Sequence, residues 1–275
     1  MDRAARALAA TLLLLLASVA VPAADPVAFV SDFRGDVAMN GAGRPPFLAE
    51  LIPGTTLVLG AEAAATVMYV VSGEEFLLKG PGEFTVTRQG VKAVKGPAPA
   101  IRVPPLKASK TVLVQTSRTA TASLRMRSAP APRADRAGPL YPVNAKVASA
   151  QPVLRWAGDA GTTWTVVVST AAGKEAFRGT AKGTSLRLPV RLAAGETFLW
   201  SVSAGSESGE ARFETLPADA VAAADKARAA AKSFADRVLL AMALQDLGAA
   251  HDSREVWAQL AAERPDIPEL AGLAR

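Results

Sequence analysis

Short apolar stretches separated by turn residues fill the first half of the chain. Around Phe84 and Val86, apolar side chains alternate with threonines, and this period of two buries one face of a strand. Turn signals separate the stretches at Asn40-Gly41, Pro53-Gly54 and Gly80-Pro81-Gly82. Short strands separated by frequent turn residues predict an antiparallel sandwich or barrel over residues 24–128. We expect its last strands at Thr111–Gln115 and Thr119–Met126.

A second set of strand patterns follows in residues 139–216, after a proline-containing linker at 129–138. Trp156 ends an alternating stretch, and Trp164 begins another. About seven short strands in this length predict an immunoglobulin-like sandwich. The alternation places Trp156, Trp164 and Trp200 in its core, and the alternative is that they stack on a sugar.

The hydrophobic period changes at Pro217. An alanine-rich stretch to Ala231 predicts one helix, Phe234–Leu247 predicts a second, and Asp252 with Glu255 resembles a capping box that starts a third. The predicted fold class is therefore mainly β, with two antiparallel β domains followed by a C-terminal helical segment over residues 217–275.

The N-terminus has the three parts of a secretory signal peptide. Arg3 and Arg6 precede an uncharged stretch from Ala7 to Ala24, which contains a leucine run. We predict a signal peptide over residues 1–23, cleavage after Ala23 and a periplasmic or secreted protein with no stable membrane span. The alternative is an uncleaved membrane anchor.

The chain carries a net charge of +6 and has no cysteine. Absence of cysteine excludes disulfides and thiolate metal sites. Between Arg102 and Arg136, eight basic residues face one acid, Asp135. We call this segment the basic stripe. It is either a solvated segment or a surface for acidic glycans, lipid head groups or proteins. Its candidate binding residues are Arg118, Arg125 and Arg127, and we expect no nucleic acid for an exported protein.

The order of turns and strands in the first half resembles the FecR-type extracytoplasmic domain. The stretches that carry the resemblance are Leu51–Leu57, Ala65–Val70 and Ser72–Pro81. Ser72-Gly73 stands where that family usually has an acidic residue before glycine. The resemblance covers roughly residues 26–100 and implies a similar β domain outside the cytoplasm.

Two further resemblances lie in the second half. Trp156 and the run Leu192–Ala204 are similar to fibronectin type III domains, with Phe198 where that family usually has a corner tyrosine. The spacing from Leu240 to Pro265, including Trp257, resembles one tetratricopeptide repeat. A lone repeat cannot bury both faces, so either the helix before it or another protein must cover it.

Catalytic chemistry has little support in the sequence. The single histidine, His251, is expected in an exposed turn, and the adjacent Glu74 and Glu75 point to opposite faces of a strand. Neither arrangement brings acid, base and nucleophile together. We expect no enzyme activity, cofactor or metal.

The sequence therefore predicts a periplasmic adaptor that binds an envelope protein through the helices or a strand edge. The candidate binding residues are Arg118, Arg125, Arg127, Trp164 and Trp257. One alternative is a binder of envelope glycans or anionic surfaces through the basic stripe. Another, from the FecR resemblance alone, is an accessory sensor in an iron- or stress-response pathway.

Overall fold

The computed structural model describes residues 25–106, 115–116, 118 and 138–275. Within them the chain is mainly β, with antiparallel sheets and a C-terminal helical segment, which confirms the fold class at this level. The expected signal peptide, residues 129–137 of the linker and the predicted strand Thr119–Met126 lie outside the described residues. Gln115 is helical, which corrects the end of the predicted strand Thr111–Gln115, because β-propensity is a weak and context-dependent preference.

The first β unit, residues 28–102, contains two antiparallel sheets with strand orders β3-β1-β5-β6-β9 and β2-β4-β7-β8. Turns predicted from the sequence join several of these strands. The strands are β1 (Ala28–Arg34), β2 (Val37–Met39), β3 (Glu50–Leu51), β4 (Thr56–Leu59), β5 (Ala64–Tyr69), β6 (Glu75–Lys79), β7 (Gly82–Val86), β8 (Val91–Lys95) and β9 (Ala100–Arg102).

The turn after β2 shows how local sequence sets this arrangement. Asn40 and Gly41 both have positive φ, at 51° and 70°, a combination that asparagine and glycine tolerate best. The Asn40 side-chain Oδ1 also accepts a hydrogen bond from the Thr56 backbone N–H at 2.8 Å. The turn is thereby fixed to the start of β4, the strand that pairs with β2.

The first sheet is apolar on both faces. On β1, Ala28 and Val30 pack into the core between the two sheets, whereas Phe29 points to the opposite side and packs on the C-terminal helices. On β5, Val67 likewise packs into the core between the two sheets, and Met68 packs on the C-terminal helices. An antiparallel sheet with one solvated face alternates apolar and polar residues. These strands do not, so the sheet needs a third layer.

The second β unit, residues 138–216, pairs a three-stranded sheet, β10-β12-β15, with a five-stranded sheet, β11-β17-β16-β13-β14. All neighbours are antiparallel except β11 and β17. The strands are β10 (Gly138–Tyr141), β11 (Ala145–Val147), β12 (Val153–Ala157), β13 (Thr163–Thr170), β14 (Glu175–Lys182), β15 (Ser185–Arg187), β16 (Thr197–Ala204) and β17 (Glu207–Thr215).

Tryptophans from both sheets fill the core of the second β unit. Trp156, Trp164 and Trp200 are each no more than 1% exposed, which confirms the prediction of core packing. Trp156 and Trp164 meet edge to face with ring centroids 6.4 Å apart, a favoured aromatic geometry. Phe198 stacks on Phe213, so the position expected for a corner tyrosine is occupied by an apolar pair.

Four helices follow the second β unit: α1 (Ala218–Ala230), α2 (Phe234–Asp246), α3 (Ala250–Glu263) and α4 (Glu269–Leu273). The capping box lies at Ser233 and Asp236 at the start of α2, where each side chain accepts a hydrogen bond from the other residue's backbone N–H. The box predicted at Asp252 and Glu255 is wrong. Helix α3 already begins at Ala250 without a side-chain cap, and both carboxylates bind other parts of the chain.

The helices lie between the two β units and contact both. We call the contact with the first β unit the first joint and the contact with the second β unit the second joint. The first joint packs Phe29, Phe47, Leu48 and Met68 against Val238, Leu239, Met242, Trp257, Leu260, Ile267 and Leu270. The second packs Ala148 and Leu216 against Val221, Ala224, Ala227, Leu240, Leu244 and Ala249. The helix pair is therefore covered within the chain.

No helix among the described residues has the length and apolar character needed to cross a membrane.

The first joint predicts a large effect of a single truncation. Phe29 has no exposed surface, so Phe29→Ala leaves a cavity and lowers the free energy of unfolding by about 3–5 kcal/mol. Val71→Ala is the control, because Val71 is 94% exposed and the expected change is within about 0.5 kcal/mol. Urea unfolding followed by tryptophan fluorescence measures both. Equal effects would contradict the three-layer packing.

Candidate functional site

The two tryptophans predicted to bind a partner lie in separate cores. Trp164 and Trp257 are 0% and 1% exposed, which corrects their prediction as binding residues, because a buried indole cannot reach a ligand. Trp257 packs edge to face on Phe47 in the first joint, with centroids 6.2 Å apart. Arg118 is helical and exposed. Arg125 and Arg127 lie outside the described residues.

Arg102, the first residue of the basic stripe, is engaged within the protein. Its guanidinium donates hydrogen bonds to the carboxylate of Glu75 on β6 and to that of Asp236 at the start of α2. Burial raises the pKa of Glu75, and hydrogen bonds from Arg102 partly oppose this. Burial also disfavours ionised Asp236, but bonds from Arg102 and Ser233 outweigh it and lower the pKa. Arg102 is therefore part of the first joint and not a free cation.

Arg264 forms the most connected polar contact of the first joint. Its side chain is 10% exposed. The guanidinium donates to the Asp32 carboxylate at 2.8 Å, to the Phe33 carbonyl at 2.8 Å and to both Asp266 oxygens at 2.8 and 2.9 Å. Arg44 also donates to Asp266, at 3.2 Å. Such fixed guanidinium–carboxylate geometry orients the helices on β1.

The second joint carries its own charged residues. Asp252 accepts hydrogen bonds from the Ala148 backbone N–H at 3.1 Å and from Arg228 on α1 at 3.1 Å. Arg155 on β12 forms an ion pair with Glu255 on α3. Burial raises the pKa of Asp252. The neighbouring His251 is the main cause that lowers the pKa of Glu255, burial opposes it, and Arg155 lowers the pKa further.

His251 is not the exposed turn residue that the sequence predicted. It lies in the first turn of α3, which begins at Ala250, two residues before the predicted cap Asp252, and its side chain is 24% exposed. The imidazole stacks on the Tyr141 ring with centroids 3.5 Å apart and planes 16° apart. Burial, followed by the charges of Asp252 and Glu255, raises the pKa of Tyr141, so its phenol stays neutral beside the imidazole.

The outer face of the second β unit has a groove of about 490 Å³. Leu199 on β16 and Val167 on β13 line it, and Glu210 and Arg212 on β17 form a charged margin. Leu199 pairs with Arg212 across the strands and is 48% exposed. An apolar centre with polar groups at the edge is typical of a binding surface.

Among the described residues, no group of three or more acidic or histidine side chains is arranged to hold a metal ion. Glu74 is partly exposed while Glu75 is buried against Arg102, so these neighbours do not act as a carboxylate pair. The arrangement of the described side chains is suited to binding by shape and charge.

No protein-family model matches the chain, and no curated protein matches it. Among solved structures, a chain described as "Biofilm associated protein - BSP domain" is similar over 70% of this chain, at 16% identity and a TM-score of 0.22. This chain spans 29% of the length of that one. A likeness at this TM-score supports no conclusion about fold or function.

Sequence reasoning missed the groove although a signal for it was present. Phe198, Leu199 and Trp200 are three consecutive large apolar residues on a strand that otherwise alternates. Phe198 and Trp200 point into the core, so the period of two places Leu199 on the outer face. No comparable signal marks Arg264, whose partner Asp32 is distant along the chain.

The Arg264 contacts predict a pH dependence. Hydrogen bonding to Arg264, opposed by some burial, holds the pKa of Asp266 well below its ordinary value of 3.8. A depressed pKa in the folded state stabilises the fold above the unfolded pKa, and this stabilisation is lost as the pH falls through the folded pKa. Asp266→Asn should therefore lower the melting temperature at neutral pH, and the difference from wild type should shrink below about pH 3.8.

Differential scanning fluorimetry between neutral pH and about pH 2.5 checks this expectation. Glu62→Gln is the control, since Glu62 is exposed in a turn of the first β unit. A melting difference for Asp266→Asn that stays constant at every pH would show that the carboxylate charge has no part in the joint.

Proposed function

We propose that this protein is a non-catalytic periplasmic adaptor that binds another envelope protein through the outer face of its second β unit. The groove around Leu199 is the observation that carries this proposal, because it combines an exposed apolar centre with the charged margin of Glu210 and Arg212. An exposed apolar surface with a polar rim marks an interaction site, whereas a single exposed leucine such as Leu140 does not.

The helices are poor candidates for the binding surface. The apolar faces of α2 and α3 pack on both β units, and nine of the thirteen residues of α2 are buried. A peptide could enter between them only by displacing intramolecular contacts. The proposal therefore moves recognition from the helices to a sheet surface.

A strand edge lies next to the groove. Strand β14 pairs with β13 alone among the described strands, so its other edge has unpaired backbone groups. An extended segment of a partner can add to such an edge through main-chain hydrogen bonds. Arg178 and Lys182 on β14 reduce uncontrolled self-association, and they favour a partner segment that carries acidic residues.

The FecR-like and fibronectin-like resemblances fit this proposal. The resemblance to FecR-type domains and the predicted export support a partner in the cell envelope. The two facing sheets of the second β unit agree with the sandwich architecture of fibronectin type III domains, which often serve as interaction modules. A sensor role would use the same surface to report a bound partner.

Binding of envelope glycan or another anionic surface is the second candidate, and the exposure of Arg118 favours it. Arg102 contributes little to such a surface because Glu75 and Asp236 neutralise it. This candidate would depend on salt, since exposed charges more than a Debye length apart are screened.

Leu199→Asp tests the adaptor proposal. A charge at the apolar centre should lower partner capture from a cross-linked envelope extract at least tenfold, because it must be desolvated on binding. Leu140→Asp is the matched control, since Leu140 is 60% exposed on the opposite sheet and capture should be unchanged. Quantitative mass spectrometry of the captured proteins is the measurement.

Loss of the same partner from both variants, or from neither, would contradict recognition at the groove. Recovery of glycan or lipid that falls between about 50 and about 500 mM salt, with no effect of Leu199→Asp, would support the anionic-surface candidate. Deletion of residues 217–275 is not a suitable test, because it uncovers apolar faces of both β units.

A further inference from the structure

The chain has a single histidine, and it lies where the helices meet the second β unit. His251 belongs to α3, its ring stacks on Tyr141 of β10, and its neighbour along the helix face, Glu255, pairs with Arg155 of β12. Any change in the charge of this imidazole therefore acts on the second joint directly. Histidine is the side chain whose charge ordinarily changes between about pH 5 and 8.

One nitrogen of this imidazole is left without a hydrogen bond. Nε2 is buried and has no hydrogen-bond partner in the described part of the chain. It lies 3.4 Å from Oε1 of Glu255, four residues further along the helix. The distance is within ion-pair range, so a protonated imidazole would face the carboxylate of Glu255 at close range. A buried polar atom without a partner destabilises the contact around it.

The charges around His251 are mixed. Two carboxylates face it from its own helix, Asp252 and Glu255, and two guanidinium groups approach from packed elements, Arg155 on β12 and Arg228 on α1. The remaining charged groups near these elements are Lys146 on β11, which pairs with Glu214, Asp225 beside Arg228, and Arg254, which donates to the Arg275 carbonyl.

The balance of these contacts determines whether protonation of His251 strengthens or weakens the second joint. Arg155, Arg228 and the N-terminal end of α3 oppose a positive charge on His251. Protonation, however, gives the ring a positive charge and an N–H at Nε2 next to Glu255, and charge-assisted hydrogen bonds are about twice as strong as neutral ones. It also places a cation against the face of the Tyr141 ring, which is attractive.

We infer that His251 makes the second joint sensitive to pH, so that mild acid tightens the contact between the helices and the second β unit. Glu255 stays ionised in this range because its pKa is held low. Tyr141 stays neutral. Protonation of the imidazole is then the change that adds a contact, and the orientation of the second β unit relative to the helices becomes more firmly fixed as the pH falls.

Asp252 is the competing group. Burial raises its pKa, and its protonation in acid would weaken the bond to Arg228. The two contributions are separable by mutation, because Asp252 remains in every variant that alters His251. A comparison of variants at each pH therefore isolates the imidazole, whereas the pH profile of the wild type alone would not.

The test compares the purified wild-type protein with His251→Gln at about pH 7.5 and about pH 5.5. Glutamine keeps a polar side chain but does not titrate. The melting temperature of the wild type relative to His251→Gln should rise by about 2 °C or more on acidification. Amide hydrogen exchange in residues 138–148, corrected for the intrinsic pH effect, should slow several-fold in the wild type only.

Glu255→Gln is the second variant, and it keeps His251 while removing the carboxylate. It should lose the same acid-dependent gain, whereas Glu207→Gln, at the exposed start of β17, should retain it. The single histidine also gives one imidazole signal by NMR, which reports its protonation directly. Two results would overturn the inference. One is a melting temperature that changes with pH in the same way in the wild type and in His251→Gln, and the other is faster hydrogen exchange in residues 138–148 when the NMR signal shows a protonated ring.

Discussion

Phe29 and Met68 point away from the core between the two sheets of the first β unit, and this second apolar face has to be covered. The helices at the other end of the chain cover it. The apolar faces of the helices that are not used in this contact pack on the second β unit. The position of the second β unit therefore also depends on the need to cover the first sheet. Burial of one sheet on both faces thus explains why two β units and four helices form a connected structure.

Apolar packing is not directional. The charged residues in both joints therefore determine how the helices are oriented on the β units. Arg264 binds Asp32 and the Phe33 carbonyl on β1, and Arg102 on β9 binds Asp236 on α2. Asp252 and Glu255 reach from α3 to the second β unit. Breaking one partner of a buried pair is expensive because the other charge is left without compensation. The helices are therefore held in one orientation on each side.

Local patterns predicted the local structure well. Turn residues such as Asn40-Gly41, the alternation around Trp164 and the alanine-rich helix after Pro217 are short-range signals, and the strands and helices follow them. What joins these elements could not be predicted in the same way, because Arg264 and Asp32 meet only through the packing of distant segments. The run Ala28-Phe29-Val30 contained a usable signal, since unbroken apolar residues indicate a strand buried on both faces.

The contact between β1 and the helices has a consequence for the order of synthesis. Arg44 and Asp266 are separated by 222 residues, and Phe29 packs on helices that are made after both β units. A chain that emerges from its N-terminus must keep the apolar face of its first sheet uncovered until these helices have been synthesised. During that interval the nascent protein presents a chaperone-binding surface, and any prematurely terminated product retains that surface permanently as a mark for proteolysis.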